Sequence, residues 1–138
     1  MGTTRSCQDR LGDNVNRLKP TLVTSMSNKS IVKIAAGYDM NVALTRNGCV
    51  LTWGKDVLPR KVEIASAADI SLKFSHVLCL TKNNRLYAWG DNQKGECGQD
   101  NQSNSIEQPT LVKGLDGLKI KKISAGLYHS LVICSKIN

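Results

Sequence analysis

The chain has 138 residues, a length that suits one domain and leaves little room for two. Hydrophobic residues make up 41% and charged residues 22%, which excludes a disordered tail or a collagen-like rod. The 19 Lys and Arg exceed the 11 Asp and Glu, and the net charge of +8 suggests an acidic partner. Aromatic residues make up only 4%, which argues against several exposed rings stacked on one nucleic acid strand.

The amino terminus, MGTTRS, fits the short pattern for myristoylation of Gly2. The positive charge of the chain would supply the second membrane signal that one acyl chain lacks. We favour a chance match, because the pattern is short and the chain opens inside a repeat. No segment approaches the roughly 20 apolar residues of a membrane span, and no amino-terminal apolar stretch indicates secretion. We therefore expect a cytoplasmic or nuclear protein.

Three segments along the chain align without a gap: IAAGYDMNVALT at 34–45, ISLKFSHVLCLT at 70–81 and ISAGLYHSLVIC at 123–134. Their offsets are 36 and 53 residues, and the first two alignments continue through NGCVLTWG at 47–54 and NNRLYAWG at 83–90. The segment PTLV occurs at 20–23 and at 109–112, and a related PRKV at 59–62 precedes the middle copy. Self-similarity of this kind indicates a tandem repeat.

Each copy has apolar residues that alternate or cluster over short runs bounded by Gly, Asn or Asp, as in β-strands. Asn47-Gly48 predicts a hairpin with a two-residue type I′ turn, which requires positive φ at both positions. Gly37 and Gly126 favour tight bends at strand ends, and Lys73 at the same position of the middle copy predicts a different local path. No sustained helical periodicity occurs, so the prediction is all-β, with about four strands per copy.

Tandem four-stranded units are typical of β-propeller blades. The Kelch double glycine and the Gly-His and Trp-Asp pairs of WD40 repeats are absent. The pattern I-x-A-G-x-x-H-S-L-x-L-T-x-x-G-x-V-x-x-W-G, then G-x-x-G and P-x-x-V, resembles the repeat of the regulator of chromosome condensation family over nearly the whole chain. NQKGECG at 92–98 resembles that family's N-x-x-G-Q-L-G loop, with Cys97 in the leucine position. The first copy departs from the pattern, because it lacks this loop and has Met40 in the histidine position.

The resemblance implies the following organisation. Residues 1–138 form one repeat array, made of the end of a preceding repeat (1–19), a blade (20–58), a blade with a long loop (59–108) and an incomplete blade (109–138). Members of the family close rings of seven blades, so we expect an incomplete or open β-propeller. Three explanations remain open: an excerpt or truncated gene product, a ring completed by self-association, and a stand-alone open array.

The sequence offers little for catalysis or for a metal. The five cysteines lie 18 to 42 positions apart, without the CxxC pair of zinc sites, and Cys79 and Cys134 lie in apolar runs typical of buried residues. No phosphate loop or dinucleotide fingerprint occurs, so no cofactor is expected. Two histidines in repeat positions provide no triad, and no spaced carboxylate pair occurs, so we expect a non-enzyme.

Other repeated residues have structural interpretations. Trp53 and Trp89 occupy the same register and are expected to pack in the core. Lys119 and Lys121 flank Ile120 and predict a solvated strand face, the alternative being contact with an acidic protein or with nucleic acid phosphates. Nothing else in the sequence supports nucleic acid or chromatin as a partner.

Function is implied by the resemblance. Some family members are guanine nucleotide exchange factors for small GTPases, and others are scaffolds within ubiquitin ligases, kinases or ciliary proteins. Exchange activity uses acidic and histidine side chains just after the A-G bend, and Asp39, His76 and His129 occupy positions of that type. These three are the candidate partner-binding residues. The first hypothesis is a non-catalytic protein–protein interaction module, and the alternative is a guanine nucleotide exchange factor or regulator for a small GTPase.

Overall fold

The computed structural model describes Lys19, Val23 and residues 26–54, 57–100 and 103–137. Gly2, Cys7 and the rest of the predicted repeat end at 1–19 lie outside the described residues. Within the described residues, ten β-strands form three antiparallel sheets, which we call the first, second and third blade.

The strands of each blade follow one another in chain order. The first blade contains β1 (Ile31–Ala36), β2 (Asn41–Thr45), β3 (Val50–Gly54) and β4 (Val57–Val62). The second contains β5 (Ala67–Lys73), β6 (His76–Thr81), β7 (Leu86–Asp91) and β8 (Ser105–Leu111). The third contains β9 (Leu118–Ala125) and β10 (Ser130–Lys136). The two four-stranded meanders confirm the all-β prediction and the number of strands per copy.

The blades stack through their first strands, because β5 packs against β1 and β2, and β9 packs against β5 and β6. The apolar core therefore runs through all three blades. Val42 and Leu78 occupy the same register of successive blades, and each is covered by the next blade. Leu131, their equivalent on β10, is 61% exposed. Burial of an apolar residue in this fold thus depends on the neighbouring blade.

The sheets and the sequence repeats are out of phase by one strand. The segment PRKV at 59–62, expected to open the second copy, lies within β4 and closes the first sheet by pairing with β3. Pro109 likewise lies in β8, the last strand of the second sheet. Both prolines lie in outermost strands, the usual place for proline within a sheet.

The β2–β3 hairpin forms where it was predicted, but the prediction of a type I′ turn is wrong. Gly48 has a φ of +83°, whereas Asn47 is not among the residues with positive φ. The Thr45 N–H donates to the Cys49 carbonyl at 2.9 Å, and the Gly48 N–H donates to the Thr45 carbonyl at 3.0 Å. These bonds define a three-residue loop that ends in a left-handed residue. Asn84 takes that conformation in the second blade, with a φ of +63°.

Lys73 changes the path of its turn, as predicted. The Gly37 N–H donates to the Met40 carbonyl at 2.7 Å, and Lys73 pairs with His76, so both turns span two residues. The difference is in the backbone, because Phe74 has a φ of +56°, which is uncommon for an aromatic residue, whereas the equivalent Tyr38 is not among the residues with positive φ.

The expected core residues differ in burial. Cys79 is fully buried and Trp89 is 4% exposed, which confirms the prediction for both, whereas Cys134 and Trp53 are only partly buried. Ile120 is buried between exposed Lys119 and Lys121, which confirms a solvated face on β9. No helix in the described part of the chain is both long and apolar enough to cross a membrane.

Candidate functional site

Three turns lie at the same edge of the three blades. They connect β1 to β2 (37–40), β5 to β6 (74–75) and β9 to β10 (126–129). The connection between β7 and β8 (92–104) leaves from this edge too, because successive strands are antiparallel. We call it the loop edge, and the edge with the β2–β3 and β6–β7 hairpins the opposite edge.

An aromatic ladder, formed by Tyr38, Phe74 and Tyr128, crosses the loop edge with one ring from each blade. The ring centroids of Tyr38 and Phe74 are 5.2 Å apart, and those of Phe74 and Tyr128 are 5.9 Å apart in an edge-on arrangement. The Tyr38 N–H also donates to the Phe74 carbonyl at 2.6 Å. Tyr38 is 73% exposed and Tyr128 is 50% exposed, so the ladder presents aromatic surface to solvent.

The ladder was not predicted from the sequence. Composition counts only six aromatic residues, and the structure brings three of them together. A signal was present, since Tyr38 and Phe74 occupy the same register directly after the strand-end position. Tyr128 lies one position later in its copy, where Leu127 stands in the register of the two rings.

Asp39 lies beside the ladder and connects two blades. The Ser75 Oγ donates a hydrogen bond to Asp39 Oδ1 at 3.1 Å. Asp39 and Ser75 occupy equivalent positions 36 residues apart, so this bond joins successive copies of one turn. The carboxylate is partly buried and lies at the loop edge, as expected.

His129 lies on the turn of the third blade and is exposed. Its ring packs on Gly126, where an added Cβ would approach the ring Cε1 to 2.4 Å and Nδ1 to 2.8 Å. The glycine of the A-G bend therefore makes room for the imidazole of its own turn. A partner at the loop edge can reach this ring.

His76 differs from the expectation of a partner contact, because it is only 1% exposed. Its Nε2 lies 3.0 Å from Ser130 Oγ, and Ser130 Oγ donates to the Glu96 carbonyl at 2.7 Å. Since the one hydroxyl proton goes to Glu96, the imidazole Nε2–H must donate to Ser130. His76 thus joins β6, β10 and the 92–104 connection. It is a packing residue between blades.

Burial lowers the pKa of His76 below its usual value of 6.5, because the charged imidazolium loses hydration. The negative charges of Glu96 and Asp91 oppose this shift, while the nearby His129 adds to it. The net shift is downward, so the neutral imidazole is the favoured form inside the protein.

The 92–104 connection is folded around Asn92. Asn92 Oδ1 accepts a hydrogen bond from the Cys97 N–H at 3.0 Å, and its Nδ2 donates to the Ser103 carbonyl at 2.9 Å. Cys97 fills the leucine position of the family loop and is 1% exposed, as a small apolar residue would be. Burial raises the pKa of its thiol to about 12, so the thiol stays protonated and unreactive.

Metal chemistry has no support in the described residues, where no group of three or more His, Cys, Asp or Glu could hold an ion. Among the described residues of this edge, His76 and Ser130 are the pairing that resembles a catalytic dyad. A nucleophilic serine must donate its proton to the imidazole, whereas Ser130 accepts from His76. The pair is therefore structural.

Comparisons with known proteins agree with this architecture. Two family models of the Regulator of chromosome condensation (RCC1) repeat match the chain, at residues 83–133 and 31–57. The human E3 ubiquitin-protein ligase HERC2 is 33% identical over 81% of the chain, which covers 3% of that protein. Guanine nucleotide exchange factor SRM1 of Saccharomyces cerevisiae is 31% identical over 96% of the chain, which covers 32% of that protein.

Solved structures are similar over most of the chain. A structure of Prp20p from Saccharomyces cerevisiae, described with its binding properties to Gsp1p and histones, matches with a TM-score of 0.70 and 28% identity over 92% of this chain. Yeast RCC1 (Prp20) bound to Kap60 matches with a TM-score of 0.74 and 27% identity over 96% of this chain. The chain spans about a third or less of the length of these relatives.

Proposed function

The chain belongs to the Regulator of chromosome condensation (RCC1) repeat family, and we propose that it is a protein-binding module that acts without catalysis. The observation that carries this proposal is the aromatic ladder at the loop edge. Its partner docks across the turns of all three blades, and Asp39 and His129 contribute polar contacts beside the rings.

The aromatic ladder has the composition that is typical of the centre of a protein–protein interface. Aromatic side chains are enriched at protein interfaces because they bury a large area with few rotatable bonds. The Phe74 ring contacts both tyrosine rings, and these contacts restrict the positions of the tyrosines before a partner arrives. Leu127 adds apolar surface beside them, being 45% exposed. Contiguous apolar surface of this kind marks binding sites more often than isolated exposed residues do.

The relatives support a protein as the partner. One related structure is described by its binding to Gsp1p and histones, and another was solved bound to Kap60. We extend only the class of partner, a protein, to this chain. Binding of one relative to histones supports a nuclear location for this chain, with a cytoplasmic location as the alternative.

The alternative function is nucleotide exchange on a small GTPase, or regulation of one. Asp39 and His129 favour it, because an acidic residue and a histidine lie on turns at the same edge, in the first and third blades, and SRM1 is named a guanine nucleotide exchange factor. His76 takes no direct part in this alternative, since it is buried.

The binding function is tested by affinity capture, followed by calorimetry with the purified partner. The variant Tyr38→Ser/Tyr128→Ser removes two exposed rings and keeps the backbone of the turns. We expect about 30-fold weaker binding, the effect of losing about 2 kcal/mol at an interface centre. Lys82→Ser/Arg85→Ser on the opposite edge is the matched control and should bind as the unmodified chain does. Unchanged affinity of the ladder variant contradicts the proposal.

Release of labelled GDP from a panel of small GTPases separates the two functions. Stimulated release that disappears in Asp39→Asn/His129→Gln supports the exchange factor. Retained binding without stimulated release supports the binding module.

A further inference from the structure

A cavity of about 620 Å³ opens at the opposite edge of the first blade, away from the aromatic ladder. Its walls come from the segment before β1, from the β2–β3 hairpin and from β4. The residues that give it chemical character are Lys29, Ser30, Arg46, Asn47, Cys49 and Lys61. We call it the basic pocket. Its volume falls within the roughly 300–1,000 Å³ of small-molecule sites.

Three cations of the basic pocket come from three separate segments. Lys29 precedes β1, Arg46 lies in the β2–β3 hairpin, and Lys61 lies on β4. Among the described residues that line the pocket there is no Asp or Glu. The three like charges converge on one concavity without an acidic neighbour among these residues. An anion bound there would relieve their repulsion.

Backbone contacts fix the segments that carry these cations. The Arg46 N–H donates to the Ser30 carbonyl at 2.8 Å, which joins the hairpin to the segment that carries Lys29. Lys61 is paired with Leu51 across β3 and β4, so its position follows from the register of the sheet. Ser30 and Asn47 add neutral hydrogen-bonding groups to the wall. The pocket is therefore built from rigid elements with both charge and hydrogen-bonding capacity.

The second blade differs from the first at two positions of the pocket wall. Leu51 and Lys61 face each other in the first blade, and Tyr87 and Leu111 form the corresponding pair in the second. The smaller Leu51 leaves space that a tyrosine ring would fill, and Lys61 brings a charge where the second blade has an apolar side chain. The repeated fold alone does not require these two differences between the blades.

We propose that the basic pocket binds a small phosphate-bearing anion, either free phosphate or a phosphate monoester of a small organic molecule. Arg and Lys are the usual ligands of phosphate oxygens, and their charge-assisted hydrogen bonds are stronger than neutral ones. A concave site with a single cluster of cations suits a compact anion. A nucleic acid strand would require a basic groove that follows its backbone.

Cys49 provides the readout, because its thiol lines the pocket and is partly exposed. Its alkylation by iodoacetamide is followed by peptide mass spectrometry, with ribose 5-phosphate, inorganic phosphate or ribose added at constant ionic strength. Cys134 on β10 is also partly exposed and serves as the internal control. We expect the phosphate compounds to slow modification of Cys49 at least fivefold, with Cys134 unchanged.

The two phosphate arms identify the source of the ligand. Protection by both indicates that the phosphate group alone is recognised, and protection only by the ester shows that the sugar is recognised as well. Protection by ribose, or no protection by either phosphate compound at millimolar concentration, overturns the proposal. Stronger protection by a short oligonucleotide than by the monoester also overturns it, in favour of a nucleic acid site.

Variants of the chain test separately whether protection depends on the charge of the basic pocket and on its shape. Arg46→Gln/Lys61→Gln should abolish protection because it removes two cations, and Leu51→Tyr should abolish it by filling the space while keeping all three. Lys82→Gln changes the residue equivalent to Arg46 on the second blade and should leave protection intact. An unchanged alkylation rate of Cys134 reports that each variant is folded. Full protection in the double variant would contradict the assignment.

Discussion

Ile34 and Ile70 occupy the same position of two successive copies, yet Ile34 is 72% exposed and Ile70 is fully buried. The first blade covers Ile70, since β5 packs against β1 and β2. Ile123, the equivalent in the third blade, is 9% exposed because the second blade covers it. Isoleucine at the same position of each copy is therefore buried only where a neighbouring blade covers it.

Substitution at these positions should have very different effects on stability. Ile70→Ala leaves a cavity between two blades and should lower the free energy of unfolding by about 2–5 kcal/mol. Ile34→Ala removes an exposed side chain and should change it by less than about 0.5 kcal/mol. Urea unfolding of both variants followed by circular dichroism measures this contrast. Equal losses would contradict the described blade packing.

Stability should fall on acidification because of His76. Its pKa is lowered in the folded protein by burial, so the unfolded chain binds the proton more tightly. The contribution of buried, neutral His76 to the free energy of unfolding is fully present above the usual pKa of 6.5. It is lost as the pH falls from 6.5 toward the lower pKa that His76 has in the folded protein. Urea midpoints between pH 8 and pH 5 should therefore decrease more steeply for the unmodified chain than for His76→Gln. His129→Gln, which keeps His76, should retain the steep dependence.

Gly37 and Gly126 share a register but should differ in tolerance of alanine. A Cβ at Gly37 would lie 2.2 Å from the backbone carbonyl oxygen of Phe74 in the next blade, and backbone cannot easily move. Gly37→Ala should therefore cost about 1–3 kcal/mol. At Gly126 the obstacle is the exposed His129 ring, which can rotate away, and the cost should be about 0.5 kcal/mol. Thermal melts of the two variants test the difference, and a larger loss at Gly126 would contradict it.

The repeated sequence was sufficient to predict the number of strands per copy, the β2–β3 hairpin and the family. These predictions succeeded because the alternation of apolar residues and the turn residues are local signals. The fixed sequence offset between copies also reveals which strands are equivalent. The β2–β3 turn shows the limit of local reasoning, since Asn47-Gly48 suits more than one hairpin loop. The pairing of Thr45 with Cys49 selected the three-residue form.

The candidate site was only partly predictable, because it depends on contacts between blades. His76 and His129 are equivalent in sequence, and only the packing of β10 and the 92–104 connection buries His76. The ladder was hidden for the same reason, since its rings come from turns 36 and 54 residues apart. The basic pocket depends on three segments that the repeat pattern leaves free to vary.

Site-specific photo-crosslinking in cells tests the central claim, that a protein partner docks on the aromatic ladder, most directly. A benzophenone amino acid is placed at position 38 or 128 on the loop edge, or at position 82 on the opposite edge as the control. We expect positions 38 and 128 to yield a covalent adduct with the same protein and position 82 to yield none. Adducts at position 82 alone, or no adduct at either ladder position, would contradict it.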